Sequence, residues 1–362
     1  MNRVASAALV GASGVALVVS SCSQSNLDAI TRKPLAAGGV GTGGVGTGGV
    51  GTGGVGTGGV GTGGVDTGGV GTGGVNTGAV GTGGVGTSGA GGSMVPACPQ
   101  ATLLPGDTNE TVQVGSLTRS YFLHVPTTYD GTAPVPLIVD FHLLGNSGLR
   151  EQQISPFPEA TASEGVIVAF PNGENGPGGS AWNIGPCCVA NDIDDVTFAK
   201  ALVDQLKARA CIDASRVYAV GYQIGGGMAH YAGCHAADVF AAIAPVGFDL
   251  LEENVGDCLP TRPLTVVLFR ELSDMSVPYS GGTWSAVSGM PVTLLGAQAT
   301  FAQWAQLNEC SGTPTDEDSN GCSSYGNCKG GVEVVLCTKQ AGVPIPENGR
   351  IAWPILKRHR LP

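Results

Sequence analysis

Five apolar runs of strand length most constrain this chain. They occupy residues 137–141, 166–170, 217–220, 243–246 and 264–269. Such runs lack the in-out alternation of a half-solvated strand, so they belong in a sheet buried on both faces. Between two of them, 195–208 carries Val196, Phe198, Ala199, Leu202, Val203 and Leu206, close to helical spacing. A further helical stretch at 224–234 places Met228 and Tyr231 three apart on one face. The expected architecture is α/β, a mostly parallel central sheet covered by helices on both faces. In such sheets ligands bind beyond the carboxyl ends of the strands.

Residues 98–362 are enough for one large α/β domain. The chain before them is different in kind. From residue 38 to about 92 it repeats G-G-V-G-T with period five, departing at Asp66, Asn76, Ala79 and Ser88. Glycine dominates and valine is the only regular apolar residue, so there is little to bury and much backbone entropy to lose. Residues 22–97 read as a disordered glycine-rich tether, with an end-to-end distance of roughly 40 Å for its repeats as a coil. Regular valines leave a stacked β structure open as the other reading.

Residues 1–21 read as an export signal. Arg3 supplies a positive end, and 5–19 an apolar stretch too short for a comfortable membrane span. The stretch ends V-S-S-C, similar to a bacterial lipoprotein signal, which makes Cys22 the lipidated first mature residue. An ordinary secretory signal is the alternative. Ten cysteines follow, an even number that fits disulfides in an oxidising compartment. Their spacing gives no zinc pattern, so no metal and no cofactor is expected. The expected location is extracytoplasmic, anchored through Cys22 or secreted. A formal charge of -11 excludes a basic nucleic-acid surface. Nothing in the sequence sets an oligomeric state.

Four stretches fall where strand ends should meet: F-H-L-L-G-N-S-G at 141–148, G-Y-Q-I-G at 221–225, F-R-E-L-S-D at 269–274 and N-G-R-I-A-W-P at 348–354. The second has the G-x-S-x-G spacing of a nucleophile elbow, with Gln223 in place of serine. These stretches sit among R-S-Y-F-L-H-V-P (119–126), A-W-N-I-G-P-C-C (181–188), D-D-V-T-F (194–198), R-V-Y-A-V-G-Y (216–222), D-V-F-A-A-I-A-P-V (238–246) and S-D-M-S-V-P-Y (273–279). Together they resemble the secreted polyhydroxybutyrate depolymerase and feruloyl esterase family, over about 119–354.

That resemblance implies the α/β-hydrolase fold and acyl transfer by a serine, histidine and aspartate. It places the nucleophile at Gln223, the histidine at Arg350 and the acid at Asp274. It places the oxyanion loop at His142, Leu143 and Leu144, with the Ile224 amide beside them. Trp182, Asn183 and Tyr222 are expected to contact substrate. Only the acid survives. An amide does not attack esters, and a guanidinium accepts no proton. Leu143 fills a position where the family prefers glycine, and R-E-L stands where it commonly has H-G-T.

Substitutes are few. His124, His230 and His235 read as structural or too distant, and a His359–Asp274 pair or a nucleophilic Ser147 or Ser273 are minor alternatives. Cys187 and Cys188 read as disulfide-bonded. Asp274 is expected to pair with Arg350 if the fold brings them together. The expectation is an esterase-family protein that is impaired or non-catalytic, holding an ester-bearing polysaccharide or polyester. The alternative is an active carboxylic ester hydrolase using an unrecognised constellation.

Overall fold

The apolar runs alternate sides once folded. Leu137, Val139 and Phe141 join one core cluster, while Ile138 between them joins the other. Val217 and Ala219 part from Tyr218 and Val220 in the same way, and Val266 and Leu268 from Val267 and Phe269. Successive strand side chains point to opposite faces, so a continuous apolar run means two buried faces.

The computed structural model describes residues 98, 103–189, 192–340 and 345–362. The export signal, Cys22 and the glycine repeats lie outside the described residues.

The strands in chain order are β1 (Gly106–Val114), β2 (Leu117–Val125), β3 (Val135–Phe141), β4 (Ile167–Pro171), β5 (Glu174–Gly176), β6 (Gly179–Ala181), β7 (Ile212–Tyr222), β8 (Ala242–Val246), β9 (Thr265–Glu271), β10 (Gly282–Trp284), β11 (Val292–Leu294), β12 (Cys322–Tyr325) and β13 (Val334–Lys339). The helices are α1 (Gly148–Ile154), α2 (Phe157–Thr161), α3 (Asp195–Arg209), α4 (Ile224–His235), α5 (Ala297–Leu307) and α6 (Ile345–Leu356). Nine strands form one sheet in the order β1-β2-β4-β3-β7-β8-β9-β13-β12. The six from β4 to β13 run parallel. β1 and β2 close one edge antiparallel, and β12 closes the other. β5–β6 and β10–β11 are small separate hairpins.

One face of the sheet packs on α3, α4 and α5 through Phe198, Leu202, Met228, Phe301 and Trp304. The other packs on α2 and α6 through Phe157, Trp353 and Leu356. The two helices read from the sequence form within a residue of their expected bounds. Asp194 caps α3, accepting the Thr197 N–H at 2.8 Å, which satisfies an otherwise orphaned donor. β1 and β2 were not among the apolar runs, because β1 is exposed along most of its length and Arg119, Ser120 and His124 interrupt β2.

All ten cysteines of the domain pair: Cys98–Cys211, Cys187–Cys188, Cys234–Cys258, Cys310–Cys328 and Cys322–Cys337. The adjacent cysteines are bonded to each other, a pairing the sequence left open. The last two bridges hold the β12–β13 margin. No helix among the described residues is long and apolar enough to cross a membrane.

Candidate functional site

The turn from β7 into α4 carries the strain of an elbow. Gln223 has φ 52° and ψ −120°, a conformation a side-chain-bearing residue holds only when its surroundings enforce it. Its N–H donates to Val246 O at 2.8 Å, and its carbonyl accepts the Gly227 N–H at 3.0 Å. Two glycines make room. A Cβ on Gly225 would lie 1.9 Å from Phe141 O, and one on Gly221 would lie 2.4 Å from Gly225 O. Helix and strand therefore meet backbone to backbone.

Gln223 projects toward the loop after β9. Its Nε2 donates to Ser276 Oγ at 3.3 Å. Asp274 Oδ1 accepts the N–H groups of Ser276 and Val277 at 2.8 and 2.9 Å. Arg270 anchors this loop from below. It is fully buried, ion-paired with Asp249, and donates to Val277 O at 2.7 Å. Asp274 lines a cavity of about 60 Å³ with Tyr222, Arg270, Glu271, Lys339 and Asn348. Burial holds the Tyr222 phenol above its usual range, helped by the charges of Asp274 and Glu271.

Arg350 is elsewhere. It is exposed on α6 and lines a separate groove of about 780 Å³ with Asp318, Glu333 and Arg358. That groove shares no residue with the Asp274 cavity. The residue of α6 that does line the Asp274 cavity is Asn348, two positions earlier. The expected Asp274–Arg350 pair does not form. Two positions along a helix rotate a side chain by about 200°, which sends residues 348 and 350 to opposite sides.

The loop after β3 uses its groups internally. His142 is buried; its Nδ1 lies 2.7 Å from Leu143 O and its Nε2 2.9 Å from the Gly173 N–H. A carbonyl only accepts and an amide only donates, so the ring is neutral with its proton on Nδ1. Burial pushes its pKa down to about 4. Trp182 has no exposed surface, donates to His142 O at 2.8 Å and stacks edge-on against Phe141. Asn183 Nδ2 donates to Ile193 O at 2.6 Å, and its own N–H donates to Asp195. Trp182 and Asn183 thus form the wall behind the loop. Of the loop amides, Gly145 donates to Ser180 O and Asn146 to Leu143 O. Among the described residues no acceptor takes the Leu144 N–H. Ile224, first in α4, has no intrahelical acceptor either.

The minor alternatives separate from the site. His359 pairs with Glu333 at 2.8 Å, and His124 with Asp107 at 2.7 Å. Buried His230 accepts the Trp304 indole N–H, and His235 packs on Tyr231 at the far end of α4. Ser147 caps α1, and Ser273 donates to Glu271. The sequence reading missed Asn348, Ser276 and the buried acids Asp140 and Glu151. Asp140 carried a legible signal, as a lone charge inside the run L-I-V-D-F.

The chain is similar to known esterases. Feruloyl esterase B of Piromyces equi is 41% identical over 247 residues, 67% of this chain and 46% of that protein. This chain has the α/β-hydrolase fold. It spans about half the length of the Piromyces protein. A probable feruloyl esterase C of Aspergillus oryzae is 28% identical over 211 residues, 57% of this chain and 72% of that one. Among solved structures, the acetyl xylan esterase from Aspergillus awamori shares the fold at TM-score 0.50 and 14% identity, covering 68% of this chain and 98% of its own. No family model matches the chain.

Proposed function

We propose that this esterase-fold domain does not hydrolyse esters and instead holds an ester-bearing polysaccharide or polyester at the old cleft. One observation carries the reading: the elbow keeps its strained backbone, and its tip is an amide. Acyl transfer needs an oxygen or sulfur nucleophile and a base within hydrogen-bond reach. Gln223 supplies no such atom, and no histidine among the described residues lines the Asp274 cavity. The feruloyl esterase relatives support a feruloyl-type ester as the ligand class. The mouth supports it too, since Met275 is 95% exposed directly after Asp274 and Leu272 is exposed two residues before it. With Tyr222 they offer an apolar, aromatic contact surface. Five disulfides support an extracytoplasmic setting, and Cys22 is the proposed lipid anchor.

A second reading, an active ester hydrolase, is favoured by one feature. The Leu144 and Ile224 amides are unclaimed, so the two donors of an oxyanion hole persist. Hydrolysis of methyl ferulate and of a short activated ester by the purified protein decides between the two. No rate above blank, with binding to feruloylated arabinoxylan in a pull-down, is the expected result. A clear rate, abolished by Asp274→Ala, would overturn the non-hydrolysing reading. Absence of any binding would overturn the ligand assignment.

A further inference from the structure

Asp140 is an acid in a strand otherwise apolar on both faces. It is 3% exposed, and Glu151 of α1, close to it, is 2% exposed. The two line one cavity of about 20 Å³ beneath the elbow, with Phe157, Gly221, Tyr222 and Asn348. No lysine, arginine or histidine lines it. β3 contributes Asp140, β7 contributes Tyr222 and α6 contributes Asn348. At the end of α1, Ser155 Oγ donates to Asp140 Oδ2 at 2.6 Å. β4 and α2 contribute apolar side chains only. On β2, Arg119 is committed to Asp195 and Glu174, and His124 to Asp107. On α1 itself, Arg150 is exposed and bonded to Gln153.

Two dehydrated carboxylates with no cation between them repel, and the arrangement is stable when a proton replaces one charge. Burial raises both carboxyls, and Asp140 raises Glu151 further. Two buried oxygens, Glu151 Oε2 and Asn348 Oδ1, lack a hydrogen-bond partner. Both belong to residues lining this one cavity, so a proton on Glu151 supplies the missing donor. Glu151 lies in the first turn of α1, which begins where the loop ends, and its own N–H donates to Ser147 O at 2.9 Å, which ties its placement to the loop carrying Leu143 and Leu144.

We propose that Asp140 and Glu151 are a proton-sharing pair that positions the Leu143–Leu144 loop at the cleft, with Glu151 kept as a neutral acid. The proposal rests on the placement of that loop and is independent of whether the cleft hydrolyses or only binds. Because the folded carboxyl is raised above its unfolded value, the pair's contribution is complete at low pH. It is lost as pH rises through the folded value.

The test combines infrared spectroscopy with hydrogen exchange of the loop segment, at about pH 6 and about pH 9.5. The wild-type protein is expected to show a protonated carboxyl stretch at neutral pH that Glu151→Gln removes. Loop exchange, corrected for intrinsic rate, is expected to accelerate at least about tenfold on the alkaline side in wild type. In Glu151→Gln, a neutral isostere of the protonated acid, it should not change. Glu151→Ala should exchange fast at both values. No protonated stretch in the wild type, or equal pH responses in wild type and Glu151→Gln, would overturn the proposal. So would slower exchange when calcium is added to chelator-treated protein, because a cation would then hold the pair. If Glu151→Gln does not fold, the wild-type spectrum and Asp140→Asn decide the matter.

Discussion

Replacing Arg119 with methionine should destabilise the domain by about 3–5 kcal/mol. The guanidinium is 2% exposed and lies 4.1 Å from the Phe198 ring centre. It donates to Asp195 at 2.7 Å, to Glu174 at 3.0 Å and to Asn172 O at 3.1 Å. Asp195 is 1% exposed, and without Arg119 its remaining described donor is the Asn183 N–H at 2.7 Å. The cost comes from this stranded carboxylate more than from the lost attraction. At about 2–4 °C per kcal/mol for a domain of this size, the melting temperature should fall by roughly 6–20 °C. The deficit should also depend on pH. Removing the cation raises the folded pKa of Asp195 further above its unfolded value, so the variant regains stability on acidification and loses it as pH rises. The limiting slope is about 1.4 kcal/mol per pH unit. Arg119→Met/Asp195→Asn should recover part of the loss, because the stranded charge is gone. Reversible urea unfolding at several pH values measures all of this. A single variant within about 0.5 kcal/mol of wild type, or a double variant whose loss is the sum of the two singles, would refute the reasoning.

Gly225→Ala should prevent the elbow from forming, since the added carbon would sit 1.9 Å from Phe141 O. Loss of near-ultraviolet dichroism is the expected readout, and a native melt would contradict it. Gln223→Gly should be neutral or stabilising within about 1 kcal/mol, because glycine relieves the positive φ; calorimetry reports it. Gln223→Ser/Asn348→His should gain methyl ferulate hydrolysis, whereas Gln223→Ser/Arg350→His should not, because only residue 348 shares a cavity with Asp274. Equal silence or equal gain would place the base elsewhere. Opening Cys98–Cys211, whose ends lie 113 positions apart in sequence, should cost about 4–5 kcal/mol in a chain-entropy account, measured by unfolding of Cys98→Ser/Cys211→Ser.

The sheet was legible because burial on both faces writes itself as unbroken apolar runs, and α3 because Phe198, Leu202 and Leu206 keep helical spacing. The elbow was legible because its glycines answer a local steric demand. Asn183 read as a substrate contact, yet it and Asp195 serve the framework, with Asp195 bound to Arg119 and to the Asn183 N–H. Their distances in sequence hide that role.

What the sequence determined by itself is therefore local: strand and helix positions, a turn that needs glycine, and a glutamine at residue 223 within the G-x-S-x-G spacing. Tertiary structure alone decided which long-range groups meet. It chose Asn348 over Arg350 for the Asp274 cavity, since helix phase depends on where α6 begins. It joined Cys98 to Cys211 and brought Asp140 and Glu151 to one cavity, because disulfide choice and the environment of a buried charge depend on three-dimensional proximity, which no spacing along the chain encodes.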